Sequence, residues 1–195
     1  AEFRGRVLHP QTWPEGLEVR GQRVVVIGSG ATAVTLVPAL AAMGAQVTML
    51  QSTPSYLVSL PARDAVAAGI QRVLPSRAAG TVIRWKNALL GMLIFHLCRS
   101  RPGRARAFLL RQVARQLPPG FDVARHFSPP YNPWEQRLCL VPDGDFFAAL
   151  RSGRAQVVTG AIERFVPEGV RLKSAPRAGP VAPPAPRGGL SSPAE

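Results

Sequence analysis

Apolar and polar positions alternate in two different ways along this chain, and the change marks its organisation. From Arg23 a continuous β-branched run, Val24-Val25-Val26-Ile27, has the pattern of a parallel strand buried on both faces. Gly28-Ser29-Gly30 forms a turn, and Ala31 to Met43 has the composition of a packed helix, with Pro38 inside it as a local bend and Gly44 as its stop. Gln46 to Gln51 is the next strand. The three together predict a β-α-β unit of about 30 residues. After Tyr56 the pattern turns helical, with candidate helices at Arg63–Leu74, Thr81–Cys98 and Ala105–Gln116, separated by Pro75, Pro102-Gly103 and Pro118-Pro119-Gly120. Asp122 to Arg137 is dense in Pro and aromatics and reads as loop. Phe146–Arg151 reads as a short helix, and Gln156–Thr159 and Val170–Leu172 as strands. The fold class expected is α/β: a Rossmann-like dinucleotide-binding domain over 21–172, carrying a helical insertion at about 60–120. Residues 1–20 read as an ordered linker. Residues 173–195, rich in Pro, Gly and Ala, have the composition of a disordered tail.

Charge refines this picture. Between Asp64 and Asp122 stand ten Arg or Lys and no carboxylate, so this stretch supplies most of the formal net charge of +13. No aromatic-basic interleaving or nucleic-acid-binding motif accompanies it, so nucleic acid is not expected as a partner. Within the insertion Trp85 to Cys98 is apolar and Arg99 to Arg115 basic, a combination also found in helices that lie on anionic bilayers. Burial by helix packing is the favoured use of that apolar stretch, with peripheral membrane contact as its rival. The nearly uncharged run Ala88–Cys98 is shorter than the roughly 20 residues that cross a bilayer, and no signal-peptide pattern opens the chain, so a cytoplasmic location is expected. Cys98 and Cys139 read as free buried thiols. His9, His96 and His126 are too scattered for a zinc site, so no metal is expected.

The chemistry lies in two motifs. Gly28-Ser29-Gly30-Ala31-Thr32-Ala33 is a G-x-G-x-x-A between strand and helix. Its first Gly permits the tight turn, its second lets backbone approach a pyrophosphate, and Ala33 lets the helix pack close to the strand. Helix N-terminal N–H groups then face the phosphates. The position that reads the adenosine ribose lies at Gln51, Ser52 and Thr53. No carboxylate stands there to accept from a ribose 2′-hydroxyl, which favours NADP over NAD, with Ser52 and Thr53 as donors. The second motif is Phe3-x-Gly5-x-x-x-His9-x-x-x-Trp13.

Phe3, Gly5, His9 and Trp13, followed at this distance by the dinucleotide turn, resemble the fingerprint of Baeyer–Villiger monooxygenases, class B flavoprotein monooxygenases. The stretch Tyr131 to Asp145 is similar to the bacterial subgroup that includes ethionamide monooxygenase, and the similarity runs from Phe3 to about Leu172. The complete fingerprint separates this branch from the related flavin N- and S-oxygenases. The resemblance implies a flavoprotein with two dinucleotide-binding domains, in which NADPH reduces FAD. The reduced flavin takes up O2 as a C4a-peroxyflavin that oxygenates ketones, sulfides or thioamides. It assigns the active-site arginine to Arg137, whose guanidinium stays charged and suits an oxyanion, and places His9 in a linker that couples cofactor binding to domain movement. A salt bridge to Asp143 or Asp145 is the alternative use of Arg137, and turn formation around Gly144 is the expected role of those two carboxylates.

Departures from the family pattern shape the remaining expectations. The chain holds no separate flavin-binding fingerprint and so reads as an internal piece, with the return to the flavin domain beginning near 155–172. Its last residues do not follow the family pattern and suggest a frameshift. Ser52 stands where close relatives carry Arg, which removes a charge-assisted phosphate contact. A non-catalytic NADP-binding module or an inactive gene remnant is the competing reading.

Overall fold

The computed structural model describes residues 3–136 and 138–173. Arg137 and the expected tail therefore lie outside the described residues, save Lys173. A 3-10 turn at Pro10–Thr12 interrupts the linker. The elements then follow in the order β1 (Arg23–Ile27), α1 (Ala31–Ala42), β2 (Gln46–Gln51) and β3 (Tyr56–Leu60). The insertion comprises α2 (Ala65–Val73), α3 (Ser76–Ser100) and α4 (Pro102–Gln116), and α5 (Val123–Phe127) follows it. β4 (Leu138–Pro142), α6 (Asp145–Arg151), β5 (Ala155–Thr159), β6 (Ile162–Val166) and β7 (Gly169–Leu172) complete the described chain.

β1, β2 and β5 form a parallel sheet in the order β1-β2-β5, with Ile27 opposite Leu50 and Gln51 opposite Thr159. β3 and β4 pair in parallel beside it, and β6 with β7 is an antiparallel hairpin. The β-α-β expectation holds nearly to the residue. α1 ends as Gly44 takes φ +90°, with the N–H groups of Gly44 and Ala45 reaching back to the carbonyls of Ala41 and Leu40.

One feature of β1 corrects the expectation. It is an edge strand covered on one side only: Val24 and Val26 pack on the core, while Val25 and Ile27 are 43% and 52% exposed. A continuous apolar run signals two covered faces, but among the described residues α1 covers just one of them.

The core lies between α1, α6 and the sheet. Val34, Val37 and Leu40 meet Val47, Met49 and Val157. Phe127, Phe146 and Phe147 close it with edge-to-face contacts, ring centroids 5.6–6.3 Å apart. Cys98 and Cys139 are buried thiols outside any disulfide, as expected.

The sequence predicts three helices in the insertion, and α2, α3 and α4 are these. α3 begins earlier than expected because Pro75 serves as its N-terminal boundary residue, and Pro102 opens α4 at the position where proline costs no hydrogen bond. Asp64 caps α2, its carboxylate accepting from the Ala67 N–H at 3.0 Å while also pairing with Lys86 of α3. Among the described residues the favoured burial of the apolar stretch is not found. Of all α3, Ala79 and Cys98 alone are buried, and Trp85, Leu89 and Leu93 are each more than half exposed. The helix rests on α2 and α4, and near its C-terminal end Phe95 meets Trp134 of the loop before β4, ring centroids 5.9 Å apart. β3, β4 and β6 were not anticipated, and α5 occupies a stretch read as loop.

The C-terminal ends of β2 and β5 are joined by a small polar network. The Gln51 side-chain amide donates to the His126 carbonyl at 2.7 Å and to Thr159 Oγ1 at 2.9 Å, and that hydroxyl lies 2.8 Å from His126 Nδ1. The Thr159 hydroxyl both accepts from Gln51 and can donate to or accept from His126 Nδ1, according to the tautomer of the ring. Burial, reinforced by the neighbouring Arg125, holds the His126 pKa below its ordinary value.

Two outcomes follow. Phe147→Ala, removing a fully buried ring, lowers unfolding free energy by about 3–5 kcal/mol in urea titration. Because folding lowers the His126 pKa, the unfolded chain binds more protons through the interval beneath its ordinary value of 6.5. Stability contributed by neutral His126 is thus complete above that pH and declines as the pH falls from there toward the folded pKa. His126→Gln flattens this part of the stability profile; an unchanged slope would place its origin in another group.

Candidate nucleotide-binding site

The turn after β1 is built from three constraints. Gly28 has φ +132°, a region that side chains strain to enter, and its N–H donates to the Leu50 carbonyl at 2.8 Å. A Cβ at Gly28 would stand 4.0 Å from that of Ala33, an ordinary contact, so the positive φ and not crowding reserves this position for glycine. Ser29 fixes the turn laterally: its hydroxyl donates to the Thr53 carbonyl at 2.8 Å and lies 3.0 Å from Ser55 Oγ. Below it, buried Cys139 of β4 places its Sγ 3.7 Å from the Ser29 carbonyl.

Gly30 is the boundary residue of α1, extended at φ −79°, ψ 177°, and no side chain caps the helix. The N–H groups of the first turn, at Ala31, Thr32 and Ala33, therefore present the positive end of the helix dipole without a side-chain acceptor in the way. Ala31 and Thr32 are exposed, whereas Ala33 is buried against the sheet. This arrangement fits a pyrophosphate: donors in a cluster, no carboxylate, and no Cβ at the closest point of approach.

At the end of β2 the three sequence candidates separate. Gln51 is 2% exposed and turns inward to the His126–Thr159 network, while Ser52 and Thr53 are exposed. The structure thus brings Gly28–Ala33 to one edge with Ser52 and Thr53, leaving the Gln51 side chain in the interior.

The front motif sits on the β6–β7 hairpin. The Phe3 ring meets Phe165 with centroids 6.3 Å apart, and the Arg4 N–H donates to the Pro167 carbonyl at 3.2 Å. A Cβ at Gly5 would fall 2.4 Å from Phe3 Cζ, so glycine lets the ring fold back over the chain. His9 caps the 3-10 turn, Nδ1 accepting from the Gln11 N–H at 3.4 Å, and Trp13 is 38% exposed. Asp143 and Gly144 make the turn foreseen for them, both with positive φ, and the Asp143 carboxylate accepts from the Ala62 N–H.

Several supporting groups had no sequence signal. Ser55 is buried against Ser29. Tyr56 donates to the Tyr131 carbonyl at 2.8 Å, and burial raises its pKa. Glu135 accepts from the backbone and side-chain amides of Asn132, both at 2.8 Å, which lowers its pKa and ties the loop before β4. Among the described residues no cluster of His, Cys, Asp and Glu could hold a metal ion.

No protein-family model matches the chain. It is 54% identical over 174 residues to the FAD-containing monooxygenase EthA of Mycobacterium tuberculosis, covering 89% of this chain and 36% of that protein. It is 49% identical over 173 residues to the probable FAD-binding monooxygenase AlmA of Acinetobacter baylyi, covering 88% of this chain and 34% of that one. The chain thus spans about a third of the length of the curated relatives it matches. Among solved structures, OTEMO in complex with FAD and NADP superposes with a TM-score of 0.64 at 16% identity, over 89% of this chain and 41% of that one. An open structure of cyclohexanone monooxygenase gives 0.61 at 17% identity, over 88% and 41%. The chain is thus similar in sequence to about a third of the FAD-containing monooxygenase EthA, and in fold to part of OTEMO and of cyclohexanone monooxygenase.

Proposed function

We propose that this chain is the NADPH-binding unit of a flavin-dependent monooxygenase. The observation that carries the reading is the uncapped start of α1, delivered by Gly28-Ser29-Gly30 to the edge where Ser52 and Thr53 are exposed. The N–H groups of Ala31, Thr32 and Ala33 bind the pyrophosphate, and Gly28 and Gly30 allow its close approach. Ser52 and Thr53 donate to the 2′-phosphate. Ser29 holds the two halves of this edge together through its bond to the Thr53 carbonyl. The Gln51 side chain acts from behind, fixing the strand end from which Ser52 departs.

The wider activity is proposed for the complete enzyme: insertion of one oxygen atom from O2 into ketones, or onto sulfur in sulfides and thioamides. FAD supplies the redox and oxygen-activating chemistry when bound there. Two relatives support this cofactor pair by name, one described with FAD and NADP bound and one as an FAD-containing monooxygenase. Arg137 contributes a permanent positive charge to the reacting centre, and the segment of Phe3, Gly5, His9 and Trp13 couples nucleotide binding to the rest of the enzyme. The cap that His9 provides suits a conformational role, since it holds the turn leading to Trp13.

Titration of the chain with NADPH and with NADH, followed by tryptophan fluorescence, tests the proposal. Saturable NADPH binding is expected. Gly28→Val, forcing a β-branched residue to positive φ, weakens both nucleotides by at least about 10-fold; circular dichroism confirms that the variant is folded. Ser52→Arg strengthens NADPH binding by about 10-fold through a charge-assisted phosphate contact and leaves NADH little changed. Failure of the native chain to bind either nucleotide would support the gene-remnant reading instead.

A further inference from the structure

α3 is 25 residues long, about 37 Å at 1.5 Å per residue. Val82, Trp85, Leu89, Met92 and Leu93 recur at helical spacing along one side, and all five are exposed, Trp85 by 62%. Toward the C-terminal half the exposed apolar surface widens to Leu90, Ile94 and Leu97. Isolated exposed apolar residues need no explanation, but a continuous patch of this kind marks an interaction surface.

The charges around the patch decide what it fits. From residue 65 to residue 121 there is no Asp or Glu. The neighbouring helix α4 exposes Arg104, Phe108, Arg111 and Arg115 at spacings of four, three and four, so its outer side is basic around one aromatic ring. Lys86 pairs with Asp64, Arg106 turns to Ser128, Arg99 acts on Glu135 and Arg111 Nε donates to the Ala107 carbonyl at 3.2 Å, while Arg104, Arg111 and Arg115 all stand exposed on the outer side of α4. A protein covering this face would have to combine an apolar groove with a dense set of carboxylates. An anionic lipid surface supplies acyl chains and phosphates side by side. No described helix is long and apolar enough to cross a membrane, so such contact runs along the surface.

We propose that α3 and α4 form a docking face for an anionic lipid bilayer. α3 lies in the plane of the interface with Leu89, Met92 and Leu93 among the acyl chains, and Trp85 sits at headgroup depth, where its ring and N–H are both satisfied. Arg104, Arg111 and Arg115 reach the phosphates, their stems covering apolar surface.

Co-sedimentation of the chain with vesicles of phosphatidylcholine and phosphatidylglycerol, beside vesicles of phosphatidylcholine alone, tests this. The mixed vesicles bind it at least about 10-fold more tightly, and binding shifts tryptophan emission to shorter wavelength. Trp85→Phe retains the binding and loses most of the shift. The double variant Leu89→Gln, Leu93→Gln, altering two exposed positions, loses at least about 10-fold on the mixed vesicles. Arg111→Gln with Arg115→Gln narrows the difference between the two vesicle types, an independent reading should the leucine variant fold poorly. Absence of binding to the mixed vesicles overturns the proposal. So does binding that salt abolishes and the leucine substitutions leave intact, which would be charge adhesion alone. Self-association removed by the leucine substitutions, without vesicle binding, would assign the face to a second copy of the chain.

Discussion

Close approach of α1 to the sheet is the constraint on which the described structure depends. Ala33 and Val34 in its first turns, and Val37, Leu40 and Ala41 further on, are buried to within a few per cent. That contact sets the height of the helix over β2 and β5, and the turn that delivers the helix there passes through the positive φ of Gly28. The same turn exposes the amide groups at the start of α1. One packing demand therefore serves both the hydrophobic core and the anion-binding edge, and the bond from Ser29 to the Thr53 carbonyl keeps the two strand ends at a fixed separation.

Most of the nucleotide-binding edge was legible in the sequence because its signals are local. A β-branched run, two glycines and a small residue at fixed offsets specify a strand, a turn and a helix without reference to distant residues. Groups that act across the chain were invisible. Gln51 looked like a ligand because of its position at a strand end, yet its partners, His126 and Thr159, are 75 and 108 residues away. Ser55 and Cys139 matter through contacts with Ser29 that no spacing encodes.

Element type was read well where period and length agreed, and poorly where elements were short. Tyr56–Leu60 and Leu138–Pro142 are strands only because they pair with each other; the first is five residues ending beside a helical stretch, and the second contains a proline. Val25 and Ile27 show the opposite failure. Their apolar character signals a covered face, and pattern alone cannot say whether the cover lies among the described residues. The apolar positions of α3 likewise signal a covered face, and among the described residues that face is open.

The order of strands has a consequence for how the chain reaches this structure. β1 and β2 are joined through one helix, and α2 and α3 touch mainly their neighbours in sequence, while α4 also packs on β3. The seam between β2 and β5 instead unites residues 108 positions apart, as in the bond from Gln156 to Thr48. Closing so wide a loop has an entropic cost that grows with the logarithm of its length, and contacts of this range slow folding. Once formed, the helices of the intervening segment span less length than an extended chain of as many residues. The loop that β5 must close to reach β2 is then shorter in effect than its residue count.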